Sequence, residues 1–226
     1  MIKNLLFDFG DVFINLDKLK PYNKFKKLGY GEPTAKMLQF NKDYEIGAVT
    51  TKEFTSFYVE NSPTTIKPQD VKQAWNSMLL DFPQHRLNFI KELASVKNFK
   101  LILLSNTNDL HIDWIKAKVP HYLDFKMCFD AFYLSQELHL RKPDASCFKH
   151  ILKEEDIIAE ETLFIDDTKE NTDAAKALAP TVEKIDYFDD RKYTYIRKKI
   201  LDAGNEVCRD LERHFELLEL ELDSEE

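Results

Sequence analysis

Leu5-Leu6-Phe7-Asp8-Phe9-Gly10-Asp11-Val12 sets three apolar residues directly before an acid and a glycine. Three apolar neighbours with no polar alternation suit a strand buried on both faces, and such strands belong to a parallel sheet covered by helices. The same pattern recurs at Leu101-Ile102-Leu103-Leu104, at Phe132-Tyr133-Leu134 and at Leu163-Phe164-Ile165. Each of these later runs is followed by a helix-like segment, so from residue 100 onward the chain reads as successive βα units. The expected class is α/β, with a Rossmann-like parallel sheet at its centre.

The first gap breaks the rhythm. Between Leu16 and about Phe99 the periodicity is helical and no convincing strand interrupts it. Gln69 to Leu80 places Val71, Ala74, Trp75, Met78 and Leu79 on one helix face, with Asp70 capping the start. Tyr44-Glu45-Ile46-Gly47 ends one helix at a glycine, and Thr50-Thr51-Lys52-Glu53 opens the next with a capping box. Residues 16–85 are therefore expected to form a small all-helical domain inserted after the first strand, between core segments 1–15 and 86–192. From Tyr193 to Glu226, Ile196, Ile200, Ala203, Val207, Leu211, Phe215, Leu218 and Leu222 recur every three or four residues. That spacing predicts a C-terminal amphipathic helix over 193–226, either packed on the core or engaging a partner, a homo-oligomer contact included.

At 226 residues, 43% hydrophobic and 32% charged, the chain can bury one α/β core with a smaller appended unit. A net charge of −8, with Lys and Arg scattered among acids, offers no general attraction for phosphate backbones, which excludes nucleic acid as a partner. Cys128, Cys147 and Cys208 form no C-x-x-C pair, so neither a zinc knuckle nor a redox dithiol is indicated and a reducing cytoplasm fits. Met1-Ile2-Lys3-Asn4 runs straight into a strand without a signal-peptide pattern, and no apolar stretch is long enough to span a bilayer. The expectation is a soluble cytoplasmic protein with no membrane partner.

In a parallel α/β sheet every strand's carboxyl end reaches the same edge, and ligands bind there. That edge would collect Asp8, Ser105 and the pair Asp166-Asp167, with Lys142 arriving after a short loop from the third strand. Singly, each has an ordinary explanation as a helix cap or a solvated residue. Together they are harder to dismiss, because clustered acids repel unless a cation holds them.

These segments resemble the four motifs of haloacid dehalogenase-like hydrolases. Leu5 to Val12 is similar to the first, Leu103-Leu104-Ser105-Asn106-Thr107-Asn108 to the second, Tyr133 to Asp144 to the third, and Phe164-Ile165-Asp166-Asp167-Thr168-Lys169-Glu170-Asn171 to the fourth. The likeness covers about residues 1 to 185, and its wording is similar to the bacterial branch that contains α-glucose-1-phosphate phosphatase. The resemblance implies a helical cap over the site and a Mg²⁺-dependent phosphatase acting on a small phosphorylated metabolite, a sugar phosphate first among them. It implies Asp8 as the nucleophile that becomes an aspartyl phosphate, and Mg²⁺ held by Asp8, the Gly10 carbonyl and Asp167, with Asp166 auxiliary. Ser105, at the strand-to-helix junction, Asn106 and Lys142 would receive the phosphoryl oxygens, and Asn171 would return toward the site.

One position departs from the superfamily's pattern. Its phosphatases usually carry a second Asp two residues after the nucleophile as general acid and base; this chain has Gly10 there, as the glucose-1-phosphate-like branch also does. Asp11 is adjacent, but an offset of one residue redirects a side chain. Two other readings follow: a 2-haloacid dehalogenase, disfavoured by the retained Asp166-Asp167 pair, and a catalytically weakened binding or regulatory protein. Substrate choice would come from the cap, where Trp75, Asn76, Tyr44 and Asn15 could meet a sugar or simply pack.

Overall fold

A computed structural model describes residues 2–178 and the strand Val182–Lys184. Among the described residues the chain order is β1 (Asn4–Phe7), α1 (Lys20–Lys27), α2 (Ala35–Glu45), α3 (Thr51–Glu60), α4 (Pro68–Trp75), α5 (Gln84–Val96), β2 (Lys100–Ser105), α6 (Asp109–Lys118), α7 (Tyr122–Lys126), β3 (Ala131–Leu134), α8 (Ser135–Leu138), α9 (Ala145–Glu154), β4 (Thr162–Asp166), α10 (Lys169–Lys176) and β5 (Val182–Lys184). The sheet is parallel throughout, in the order β3-β2-β1-β4-β5, with β1 at its centre. The four apolar runs are its first four strands, and β5 adds an edge that the run pattern had not marked. The predicted tail helix over 193–226, with its oligomer contact, lies outside the described residues.

Both faces of the sheet are covered, as the unbroken apolar runs require. Leu5, Phe7, Leu101, Leu103, Leu163 and Ile165 pack with Phe89 and Ile90 of α5, Ile115 of α6 and Phe125 of α7. Leu6, Ile102, Leu104 and Phe164 face the other way, onto Cys147, Phe148 and Ile151 of α9 and Ala175 of α10. Each such side chain contributes on the order of 1.5–3 kcal/mol by leaving water, so strand register is tightly specified and the carboxyl edge is rigid.

The segment between β1 and α5 holds α1–α4 around its own aromatic cluster, in which Phe25, Tyr44, Phe54, Tyr58 and Val71 are buried. The predicted capping box is present: the Thr50 side chain accepts from the Glu53 N–H, and Glu53 accepts from the Thr50 N–H. Two expectations for α4 change. Lys67 is its N-cap and Asp70 sits three residues in, accepting from the Lys67 N–H at 2.8 Å, since Pro68 fills the first turn. The helix also stops at Trp75 rather than Leu80. Asn76 and Ser77, weak helix formers whose side chains compete for the backbone, tighten it into a 3₁₀ turn over Asn76–Met78.

The insert leaves and rejoins the core through two neighbouring tethers. Leu16 and Leu79 form an antiparallel bridge, flanked by Asn15 N–H to Asp81 O (2.9 Å), Leu80 N–H to Asn15 O (2.9 Å) and Asp17 N–H to Met78 O (2.8 Å). Farther along, Gly47 brings the α2–α3 turn onto α8. Its φ is +68°, and a Cβ there would lie 2.2 Å from the Gln136 carbonyl oxygen, so glycine alone permits both the turn and the approach.

Candidate active site

The parallel pairing of β1 with β2 and β4 carries Asp8, Ser105 and Asp166 to one edge, and the Asp8 N–H still donates to the Ile165 carbonyl at 2.9 Å. Lys142 reaches the same point from the loop before α9. Its ammonium is fully buried, 2.7 Å from Asp8 Oδ1 and 2.6 Å from Asp166 Oδ2, above the Phe164 ring at 5.4 Å. One ammonium between two carboxylates orients both. Burial works against the Lys142 charge, but Asp166 and Asp8 outweigh it and hold its pKa above the ordinary lysine value.

Asp166 is saturated by protein donors. Oδ1 accepts from the Thr168 N–H at 2.8 Å, Oδ2 accepts from Lys142, and the Asn171 amide reaches both oxygens at 3.1 and 3.0 Å. Asn171 thus does return to the site, as a bond to Asp166. The carboxylates of Asp8, Asp166 and Asp167 offer oxygens within 4.8 Å of one another. Burial pushes the Asp8 carboxyl up to about 7; Lys142 opposes this, while Asp166 and Asp167 add to it. Burial likewise raises Asp167, against the pull of Lys18.

Lys18 is a participant that no sequence pattern marked. Its Nζ lies 2.6 Å from Asp167 Oδ2 and 3.0 Å from Asp11 Oδ2. Asp11 itself has φ +54° and accepts from the Leu16 N–H at 3.0 Å, which turns it into the loop rather than toward Asp8. At Gly10 an added Cβ would meet Leu16 Cδ1 at 2.7 Å, so the space for a side chain at this position is taken by leucine.

Ser105 ends β2, buried, but it does not adjoin a helix start. Asn106, Thr107 and Asn108 intervene, and Asn108 is the N-cap of α6, accepting from the His111 N–H at 3.1 Å. The Asn106 amide pairs reciprocally with the Lys142 main chain, donating to its carbonyl at 2.8 Å and accepting from its N–H at 2.9 Å. This pair fixes where the Lys142 loop lies against the end of β2.

The insert closes over this edge through specific contacts. Arg141 Nε and Nη2 donate to Glu45 Oε2 at 3.0 and 2.9 Å. The Tyr44 hydroxyl accepts from the Leu110 N–H at 3.1 Å. Trp75 stacks on His111 with ring centroids 5.6 Å apart, and its indole N–H donates to Asn108 at 3.3 Å. Of the four residues that could meet a sugar or simply pack, Trp75 faces the enclosed space; Tyr44 is core, Asn15 bonds Asp81, and Asn76 lines a separate groove. Two adjoining cavities lie between insert and sheet edge. One of about 400 Å³ contains Asp8, Lys142 and Asp167, and one of about 220 Å³ lies beneath Trp75 and beside His111.

An α/β sheet with clustered carboxylates and a buried lysine at its carboxyl edge, under a helical roof, points to a class of hydrolase. The chain belongs to the haloacid dehalogenase-like hydrolase family, whose model matches residues 3–179. It is 29% identical to D-ribitol-5-phosphate phosphatase of Bacteroides thetaiotaomicron over 187 residues, 79% of this chain and 89% of that one. A haloacid dehalogenase family enzyme of the same organism, solved as a magnesium complex, superposes with a TM-score of 0.77 at 32% identity, covering 86% of this chain and 98% of the other. Its wild-type form with magnesium and inorganic phosphate gives 0.73 at 30% identity, over 86% of this chain and 100% of that one. No described helix is long and apolar enough to cross a membrane.

Proposed function

We propose that this hydrolase is a Mg²⁺-dependent phosphatase that cleaves the monoester of a small sugar or polyol phosphate through an aspartyl phosphate on Asp8. The observation that carries the reading is the Asp8–Lys142–Asp166 arrangement beside Asp167. Lys142 holds Asp8 Oδ1 at 2.7 Å, while among the described residues no hydrogen bond engages Oδ2.

The residues present fit a divalent cation. Four acids, Asp8, Asp11, Asp166 and Asp167, face two ammoniums, Lys18 and Lys142, leaving two negative charges uncompensated in a half-dry site. Asp166 is fully engaged by protein, so Asp8, Asp167 and the Gly10 carbonyl would be the ligands, with Asp166 acting through Lys142. Bound there, Mg²⁺ would stabilise Asp8 as carboxylate and shield it from an anionic substrate. Ser105 and Lys142 would receive phosphoryl oxygens, with Asn106 setting the position of Lys142. Asp8 would attack phosphorus in line with the ester oxygen, and water would later hydrolyse the acyl phosphate.

We take residues 16–85 as the cap and the two cavities as separate seats for phosphate and alcohol. Free thiols at Cys128 and Cys147 support a cytoplasmic setting. A metal-free dehalogenase would have no use for Asp167 as a cation ligand beside Asp8. The test is a panel of phosphomonoesters with Mg²⁺ present and absent. Ribitol 5-phosphate belongs in it because of the relative's name, and α-glucose 1-phosphate because of the motif wording. Phosphate release should require both the metal and Asp8, and Asp8→Asn should lower turnover by at least about 10⁴-fold; activity surviving in that variant would end the proposal.

A further inference from the structure

Glu45 ends α2 with its side chain 25% exposed and its Oε2 clamped by two Arg141 donors. Among the described residues no hydrogen bond reaches Oε1. Glu45 lines both cavities, and in the one beneath Trp75 it is the sole carboxyl among the described residues. The other acids near Gly10 are committed elsewhere: Asp11 to the Leu16 N–H and Lys18, Asp17 to the Leu19 and Lys20 N–H groups at 3.2 and 3.0 Å, and Asp81 to Asn15. Gly10 supplies no side chain, and Leu16 occupies the place one would take.

We propose that Glu45 is the general acid and base of the reaction, delivered by the insert to the boundary between the phosphate and alcohol seats. The proposal rests on the phosphatase reading above. As Asp8 Oδ2 forms its bond to phosphorus, the bond from phosphorus to the ester oxygen breaks, and that oxygen takes the proton from Glu45 Oε1 to leave as the alcohol. The resulting Glu45 carboxylate then accepts a proton from water as its oxygen bonds phosphorus. The bond to Asp8 breaks, phosphate departs, and both carboxyl groups return to their starting states. Burial pushes the Glu45 carboxyl above its ordinary range, against Arg141 and Lys42, the direction an acid that must hold a proton near neutrality needs. Because Arg141 belongs to the core and Glu45 to the insert, the acid is in place only when the two are shut together. Water reaching the acyl phosphate in an open site would then meet no base to take its proton.

The experiment compares wild type, Glu45→Gln and Arg141→Met with excess Mg²⁺ on p-nitrophenyl phosphate, phenyl phosphate and ribitol 5-phosphate, the last replaced by any alkyl ester of the panel turned over faster. The readout is kcat/KM, which reports the step that expels the alcohol. An alkoxide needs a proton on leaving, whereas p-nitrophenolate scarcely does. Glu45→Gln should therefore lose only several-fold on p-nitrophenyl phosphate and about 10²-fold on the alkyl ester. Arg141→Met, which keeps the carboxyl but removes the clamp that positions it, should show the same leaving-group trend with a smaller loss on the alkyl ester. A Glu45→Gln deficit that is flat across the series, or absent, overturns the assignment. If wild type releases phosphate from no ester, or Asp8→Asn still does, the phosphatase reading itself has failed, and the two failures are told apart.

Discussion

The sheet edge and the seam between insert and core place charged groups in opposite ways. At the edge, Asp8 and Asp166 are short side chains fixed by the hydrogen-bonded register of adjacent strands, and Lys142 joins them without solvent contact. At the seam, Glu45, Arg141, Trp75 and His111 are long side chains meeting across separately folded elements, and the ion pair there stays partly exposed. Groups fixed by strand register hold their relative positions closely, whereas groups that meet across the seam are in place only as the insert docks.

The contrast breaks most visibly at Lys142. Lys142→Met leaves two buried carboxylates without their cation, so we expect a loss of about 3–5 kcal/mol in denaturant unfolding together with a fall in kcat of about 10²–10³-fold. If the variant were as stable as wild type, the edge would not be the rigid, charge-coupled centre described. Next in size is His111, on the seam. Burial pushes its imidazole down to about 4 from the ordinary 6.5, so the folded protein keeps it neutral while the unfolded chain does not. Its contribution is fully present above pH 6.5 and is lost as pH falls toward 4. His111→Phe retains a ring against Trp75 and removes this dependence, so the two proteins' unfolding free energies should diverge across that window by up to about 3 kcal/mol at the acid end. Parallel curves would mean that the ring is solvated. The smallest effect sharpens the comparison: Gly47→Ala forces a methyl into the Gln136 carbonyl and should cost about 2 kcal/mol and raise KM. Gly31→Ala, with open space around it, should do neither.

Much of the edge was legible in the sequence because its rule is local: an apolar run ends, and the next residue faces the ligand side. Asp8, Ser105 and Asp166 follow from that alone, and the motif order pointed to the hydrolase family that the match over 3–179 shows. What misled was capping. Ser105, Asn106, Thr107 and Asn108 can all cap helices, and only packing selects Asn108. The α4 face ran past its end because apolar spacing persists through Met78 and Leu79 after Asn76 and Ser77 have tightened the helix. Lys18, Glu45, Arg141 and His111 lacked any periodic signal. Each acts through reach across a fold, and reach depends on how the insert docks rather than on neighbours in the chain.

The paired tethers at Leu16 and Leu79 carry a consequence for how such a molecule could change over generations. Departure and return lie side by side, so the material between them is a parenthesis in the polypeptide. Another parenthesis of different length could be written there without disturbing the strands on either side. New diets for the enzyme would then come from rewriting the roof, and the foundation beneath would scarcely notice.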